Sequence, residues 1–285
     1  MDQNILFAFM MTLIAGLSTG IGSAIAFFAK KTNTKFLAVS LGFSAGVMIY
    51  VSMIEIFTEA KSKLIVPLGL KNGTIVTVLA FFGGMILIAL IDKLIPSEEN
   101  PHEVEFVETL NKIEEEEIVS HEKNIEDKES SDLNKSKLMR TGLFTALAIA
   151  IHNFPEGLAT FVSALQEPSL AIPIVVAIAI HNIPEGIAVS VPIYYATGSK
   201  KKAFIYSFLS GLSEPIGAII GFMILLPIMN DILFGVIFAG VAGIMVFISI
   251  DELLPSAREY GEHHLSIYGM VVGMAVMAAS LIMFM

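Results

Sequence analysis

The chain has no cysteine and no tryptophan among its 285 residues. Without cysteine there is no disulfide framework and no thiolate metal site. Without tryptophan, only tyrosine and phenylalanine remain to mark a membrane–water boundary. No Lys or Arg precedes the first apolar run, 5–28, so the basic n-region of a signal peptide is missing. That run is also too long for a signal core and is followed by Lys30 and Lys31, so it is expected as a retained first span. Charge of either sign is scarce outside one segment. The formal net charge is −10, yet 97–138 alone carries 14 acids against 5 lysines, which leaves the rest near neutral. No basic surface points to nucleic acid as a partner.

Apolar sequence is what the chain has in abundance. It is 55% hydrophobic with a mean hydropathy of +0.76, which excludes an ordinary soluble domain and fits an all-α polytopic membrane protein in a lipid bilayer. Eight transmembrane helices are expected, at 5–28, 36–59, 74–95, 139–165, 170–196, 203–227, 232–254 and 265–285. The chain therefore divides into 1–96 with spans 1–3, an acidic loop at 97–138, and 139–285 with spans 4–8. The loop is too polar to bury a core and reads as a disordered linker, in which His102 and His121 are too far apart for a good metal site. With both termini outside, the cytoplasmic loops collect 14 of the 17 basic residues, as the positive-inside rule requires.

Spans 4 and 5 hold near-copies of one phrase, His-Asn-Phe-Pro-Glu-Gly at 152–157 and His-Asn-Ile-Pro-Glu-Gly at 181–186. In each copy the His and Glu stand four residues apart, so one helical face presents both, and the Asn projects nearby. Pro155 and Pro184 have no N–H to give the carbonyls of Ile151 and Ile180, which loosens a backbone oxygen in each copy. Span 6 adds Glu214 beside Pro215. A charge near the bilayer centre costs about 2.5–3.5 kcal/mol on the permissive insertion scale. Hydrogen-bonding glue between helices returns only about 0.6–2 kcal/mol. A divalent metal changes that balance by neutralising Glu156, Glu185 and Glu214. Two imidazoles with oxygen ligands suit Zn²⁺, Fe²⁺, Mn²⁺, Co²⁺ or Cd²⁺. An intramembrane metal-dependent hydrolase is the alternative, but the zincin phrase His-Glu-x-x-His sits on one uninterrupted helix, and each phrase here has one His and a central proline. Mid-membrane helices broken to expose backbone oxygens are a transporter's device.

Three further acids stand near span ends. Glu55, seven residues after Met48 and on much the same face, reads either as a snorkelling side chain or as part of a transport pathway. Asp251 and Glu252 close span 7 and read as interfacial or as a metal exit at the cytoplasmic mouth. Small residues crowd span 1 (Gly16, Ser18, Gly20, Gly22, Ser23) and span 2 (Gly42, Ser44, Ala45, Gly46), a helix-packing feature to which no function attaches.

The paired phrases, the Glu-Pro of span 6, the eight spans and the acidic loop after span 3 resemble the ZIP metal-ion transporters, most of all the bacterial members of that family. The resemblance implies a 3+2+3 arrangement, with spans 1–3 and 6–8 as inverted-repeat halves around spans 4 and 5. It implies a binuclear centre in mid-membrane. His152, Glu156, His181 and Glu185, with Met48, would hold one metal, while Asn153, Asn182 and Glu214 would hold the second, Glu156 and Glu185 bridging. It further implies uptake of zinc and other divalent ions across the cytoplasmic membrane by alternating access, often by a homodimer. The metal is cargo, and no cofactor is expected.

Overall fold

The structure, a computed structural model, describes residues 2–26, 34–93, 125–166, 168–259 and 263–284. Among the described residues there are helices and turns and no strand. Lipid offers no partner to a backbone N–H or C=O, so an apolar chain of this length closes its hydrogen bonds within helices. In order they are α1 (Asp2–Ala26), α2 (Thr34–Tyr50), α3 (Phe57–Asp92), α4 (Ile125–Gln166), α5 (Pro168–Thr197), α6 (Lys200–Gly211), α7 (Ser213–Ile220), α8 (Asp231–Ile248), α9 (Leu254–Glu259) and α10 (His263–Phe284). Six described segments are long and apolar enough to cross a bilayer, which makes this a multi-pass membrane protein. On α1 the exposed side chains Leu6, Met10, Ile14, Leu17, Ile21 and Ile25 recur every three or four residues, an apolar stripe suited to lipid.

The longest apolar segment, Lys35–Asp92, has 58 residues. At about 1.5 Å per residue it would be nearly three times too long for one crossing of a ~30 Å core. Pro67 and Gly69 break it. Gly69 takes φ 77° and ψ 163°, and a Cβ on Gly73 would lie 2.7 Å from the Leu64 carbonyl oxygen, so the chain doubles back at this point. The turn falls later than the 36–59 bounds of the expected second span. The helix carries Glu59, Lys61 and Lys63 outward instead of stopping at them, with Lys63 Nζ 3.6 Å from Glu59 Oε1 one turn away. The helix of the fourth span likewise begins at Ile125, ahead of the expected 139. Most of the acidic segment, including His102 and His121, lies outside the described residues. α4 and α5 are separated by one residue, and they pack as the expected hairpin.

Three π-helical turns occur among the described residues, one of them Gly221–Leu225 directly after α7. Val51–Ile56 joins α2 to α3 and Ser249–Leu253 joins α8 to α9 as π-helical turns, in which Phe57 N–H donates to the Ser52 carbonyl and Leu254 N–H to that of Ser249. Such insertions are frequent at functional sites.

The tightest packing falls into two groups. α1, α4, α5, α6 and α7 contact one another, as do α2, α3, α8, α9 and α10; α2 on α5 and α8 on α4 bridge them. The contacts are reciprocal, and so is the sequence behind them. Residues 16–22 read GLSTGIG and 211–217 read GLSEPIG, while 45–55 and 242–252 share Ala, Gly, Met, Ser and Glu at equal offsets. Gly22 lies against the carbonyl of Ile183 and Gly217 against that of Phe154, the third residue of each phrase. Any Cβ at those two glycines would overlap the carbonyl, which is why helices in lipid approach through small residues.

Candidate metal centre

α4 presents His152, Asn153 and Glu156, α5 presents His181, Asn182 and Glu185, α7 presents Glu214, and α2 presents Met48. All eight are 0–1% exposed. Each phrase continues its helix straight through Pro155 or Pro184, so neither α4 nor α5 is divided into half-helices as the prolines suggested. The proline removes one hydrogen bond, and packing on both sides holds the rest of the turn.

The imidazole–carboxylate contacts run between the two phrases rather than along either one. His152 Nε2 lies 3.2 Å from Glu185 Oε2, and His181 Nε2 lies 3.3 Å from Glu156 Oε2. The antiparallel hairpin sets each imidazole opposite the other copy's carboxylate, a relation that spacing along one helix cannot express. Asn182 Nδ2 donates to Glu214 Oε1 and, at 3.1 Å, to the Ala15 carbonyl of α1. Among the described residues no three His, Asp or Glu side chains already close around one point as a metal cage. The donors stand in twos.

The atoms left over matter as much as the bonded ones. Glu156 Oε1, Glu185 Oε1, Glu214 Oε2, Asn182 Oδ1, His152 Nδ1 and both polar atoms of Asn153 are buried without a hydrogen-bond partner among the described residues. A buried polar atom without a partner costs about 1–3 kcal/mol, and more when charged, so this density requires an explanation. Imidazole nitrogen, carboxylate oxygen and amide oxygen are the donor set of a borderline divalent ion. Glu156 and Glu185 each keep one oxygen on a histidine and one unpaired, a disposition compatible with two ions.

The two histidines differ. His181 Nδ1 lies 3.1 Å from the Ala177 carbonyl, which only accepts, so by its partners this nitrogen carries the proton. The contact from Nε2 to Glu156 then needs a second proton, on the ring or on the carboxylate. His152 Nδ1 has no partner among the described residues, so the contact of Nε2 with Glu185 can form as Nε2–H donating to an ionised carboxylate without requiring an extra proton. The Glu156–His181 pair thus needs one proton more than a neutral imidazole beside an ionised carboxylate.

Of the remaining acids, Glu252 is close enough to act electrostatically on His152. Asp251 is exposed, and Glu55 is half-buried beside Glu59 on the π turn after α2. The hydroxyls around the phrases went unread in the sequence. Ser44 donates to the His181 carbonyl at 3.2 Å, and Ser23 and Ser207 donate to the Gly186 carbonyl at 3.3 and 3.1 Å. Their only sequence signal was smallness, which close helix packing demands in any case.

The chain is closely similar to known proteins along nearly its whole length. A family model described as ZIP Zinc transporter matches residues 92–281. The protein named Zinc transporter ZupT of Clostridium perfringens (strain 13 / Type A) is 67% identical over 284 residues, 99% of this chain and 97% of its own length. Those of the same name from Streptococcus mutans serotype c and Chlorobaculum parvum are 65% and 62% identical, over the full length of both chains. With its doubled His-Asn-x-Pro-Glu-Gly phrase and apolar helices, the chain belongs to the ZIP zinc transporter family.

Proposed function

We propose that this protein carries zinc, and with it other divalent transition-metal ions such as iron, manganese, cobalt and cadmium, across the bacterial cytoplasmic membrane into the cytoplasm. The carrying observation is the pair of fully buried cross-helix contacts, His152 with Glu185 and His181 with Glu156. Dehydrated Zn²⁺ entering between α4 and α5 would meet neutral imidazole lone pairs and two carboxylates. Glu156 and Glu185 would bridge, Met48 would add its thioether, and Asn153, Asn182 and Glu214 would complete a second position. The three carboxylates offset the charge of the metal in a medium that solvates it poorly. The proton held by the Glu156–His181 pair leaves as metal takes its place. The family's reaction is transport, and no residue here is assigned a hydrolytic base.

In the same reading the chain crosses eight times. The break at Pro67–Gly69 divides Lys35–Asp92 into two spans, and 139–166 of α4 supplies the eighth beside the six apolar segments. Both termini face outside and 97–138 is a cytoplasmic linker. Spans 1–3 and 6–8 form inverted halves around α4 and α5, which the reciprocal contacts of Gly22 with Ile183 and Gly217 with Phe154 support. Access alternates as the two packing groups shift against each other. The test is zinc uptake into proteoliposomes with competing ions and imposed pH or voltage gradients. Wild-type uptake by Glu156→Ala at equal reconstitution would end the proposal of this centre.

A further inference from the structure

We propose that Ser44 is a one-sided latch, whose hydroxyl on the His181 carbonyl steadies one of the two access states and has no equivalent in the other. The inference rests on the transport reading above. Ser44 and its bond are fully buried, and the bond joins α2 of one packing group to the second phrase on α5 of the other. It therefore forms or breaks only when the groups shift. Through the matched stretches 45–55 and 242–252, the counterpart of Ser44 is Val241 on α8, which is buried and has no donor to offer. The counterpart of the His181 carbonyl is that of His152.

Alternating access in an inverted repeat proceeds by exchange of the two halves' arrangements. The structure holds them in different arrangements. α2 lies along α5 more extensively than α8 along α4. When the halves exchange, α8 takes up against α4 the position α2 now holds against α5, and Val241 arrives where a hydroxyl would be needed. Ser44 touches no metal ligand atom. It is a positioning residue acting through the backbone of His181, whose ring is held separately by Ala177. Alanine would fill the same space, so the hydroxyl itself is what the experiment isolates.

The absence of cysteine makes a direct readout available. Ser52 and Ser249 are fully buried counterparts, each in a π turn and eight residues along the helix from Ser44 and Val241, on the same face. Ser52→Cys and Ser249→Cys are introduced singly into the full chain in proteoliposomes. Their reaction with a water-soluble maleimide reports how often each side of the seam opens. In these backgrounds Ser44→Ala should change the ratio of the two labelling rates by about two- to tenfold, the range set by one hydrogen bond, with one reporter gaining and the other losing. Val241→Thr, which keeps the shape and adds a hydroxyl, should move the ratio the opposite way, with Val241→Ser as the smaller substitute if threonine impairs folding. Zinc uptake should persist in Ser44→Ala with KM and maximal rate altered unequally. Reporters that move together, or a ratio unchanged by Ser44→Ala in vesicles that take up zinc, would overturn the latch alone. The ratio is read without metal flux, so failure of the unmodified protein to take up zinc would instead strike the transport reading.

Discussion

The first phrase, on α4, and the second, on α5, are near-identical in sequence and differ in what surrounds them. The imidazole of His181 is fixed at Nδ1 by the Ala177 carbonyl and its backbone by Ser44, whereas His152 keeps an unpaired Nδ1 and has Glu252 for a charged neighbour. Gly186 lies against the Thr19 carbonyl and Gly157 against that of Glu214, so Thr19 and Glu214 occupy corresponding places in matched stretches. Asn182 uses Glu214, while both polar atoms of Asn153 are unpaired. What the two phrases share is the crossed imidazole–carboxylate contact. The shared chemistry is suited to holding a metal from either side, and the unshared surroundings distinguish the sides.

Removing the shared part should have the largest effect. Glu156→Ala, Glu185→Ala and His152→Ala should each lower zinc uptake by about 100-fold or more, since breaking one partner of a buried charged pair costs about 3–5 kcal/mol. His181→Ala should fall between these and the one-sided group. Uptake in proteoliposomes, normalised to reconstituted protein, checks the order. Comparable losses from all positions would erase the distinction between shared and unshared residues.

The one-sided carboxylate comes next. Glu214→Ala and Asn182→Ala should retain uptake, with a change of roughly tenfold in rate or in selectivity among competing ions, as expected for one charge-assisted hydrogen bond of about 1.5–3 kcal/mol. A competition panel of zinc, cadmium, manganese and iron reads it out. Uptake abolished by Glu214→Ala would move this residue into the shared core.

Protons sharpen the same comparison. Metal needs neutral imidazole and ionised carboxylate, so apparent metal affinity should weaken steadily as outside pH falls from about 7.5 to about 5.5, across the ordinary histidine range. The maximal rate should fall less. Calorimetry in buffers of different ionisation enthalpy should show proton release on zinc binding, and His181→Ala should remove more of it than His152→Ala. Equal losses would mean that the Ala177 contact does not set the protonation of His181.

The smallest effect is expected far from either phrase. Shortening 97–124, the part of the expected 97–138 loop that precedes α4, to a Gly/Ser linker should leave basal uptake within about twofold, because loop length contributes weakly to stability. Loss of all uptake with normal insertion would make the segment functional.

Much of this protein is determined one helix at a time, and that part was legible in the sequence. A run of apolar residues must become a helix in lipid whatever lies beside it, and two histidines with three glutamates inside such runs need a cation to justify them. The repeated phrase marked the residues of the candidate centre before any geometry was known. Which imidazole meets which carboxylate was not determined there, because spacing along a helix pairs His152 with Glu156, while the antiparallel hairpin pairs it with Glu185. The doubling back at Gly69 instead of at the first lysines, the continuity of α4 and α5 through their prolines, and the division of the helices into two groups are also tertiary outcomes. Each depends on what a neighbouring helix supplies: a carbonyl, a hydroxyl, or the space left by a missing Cβ. Ser44 shows the limit most plainly. In the sequence it is one small residue among several, and only the arrival of the His181 carbonyl at 3.2 Å gives its hydroxyl a partner on another helix.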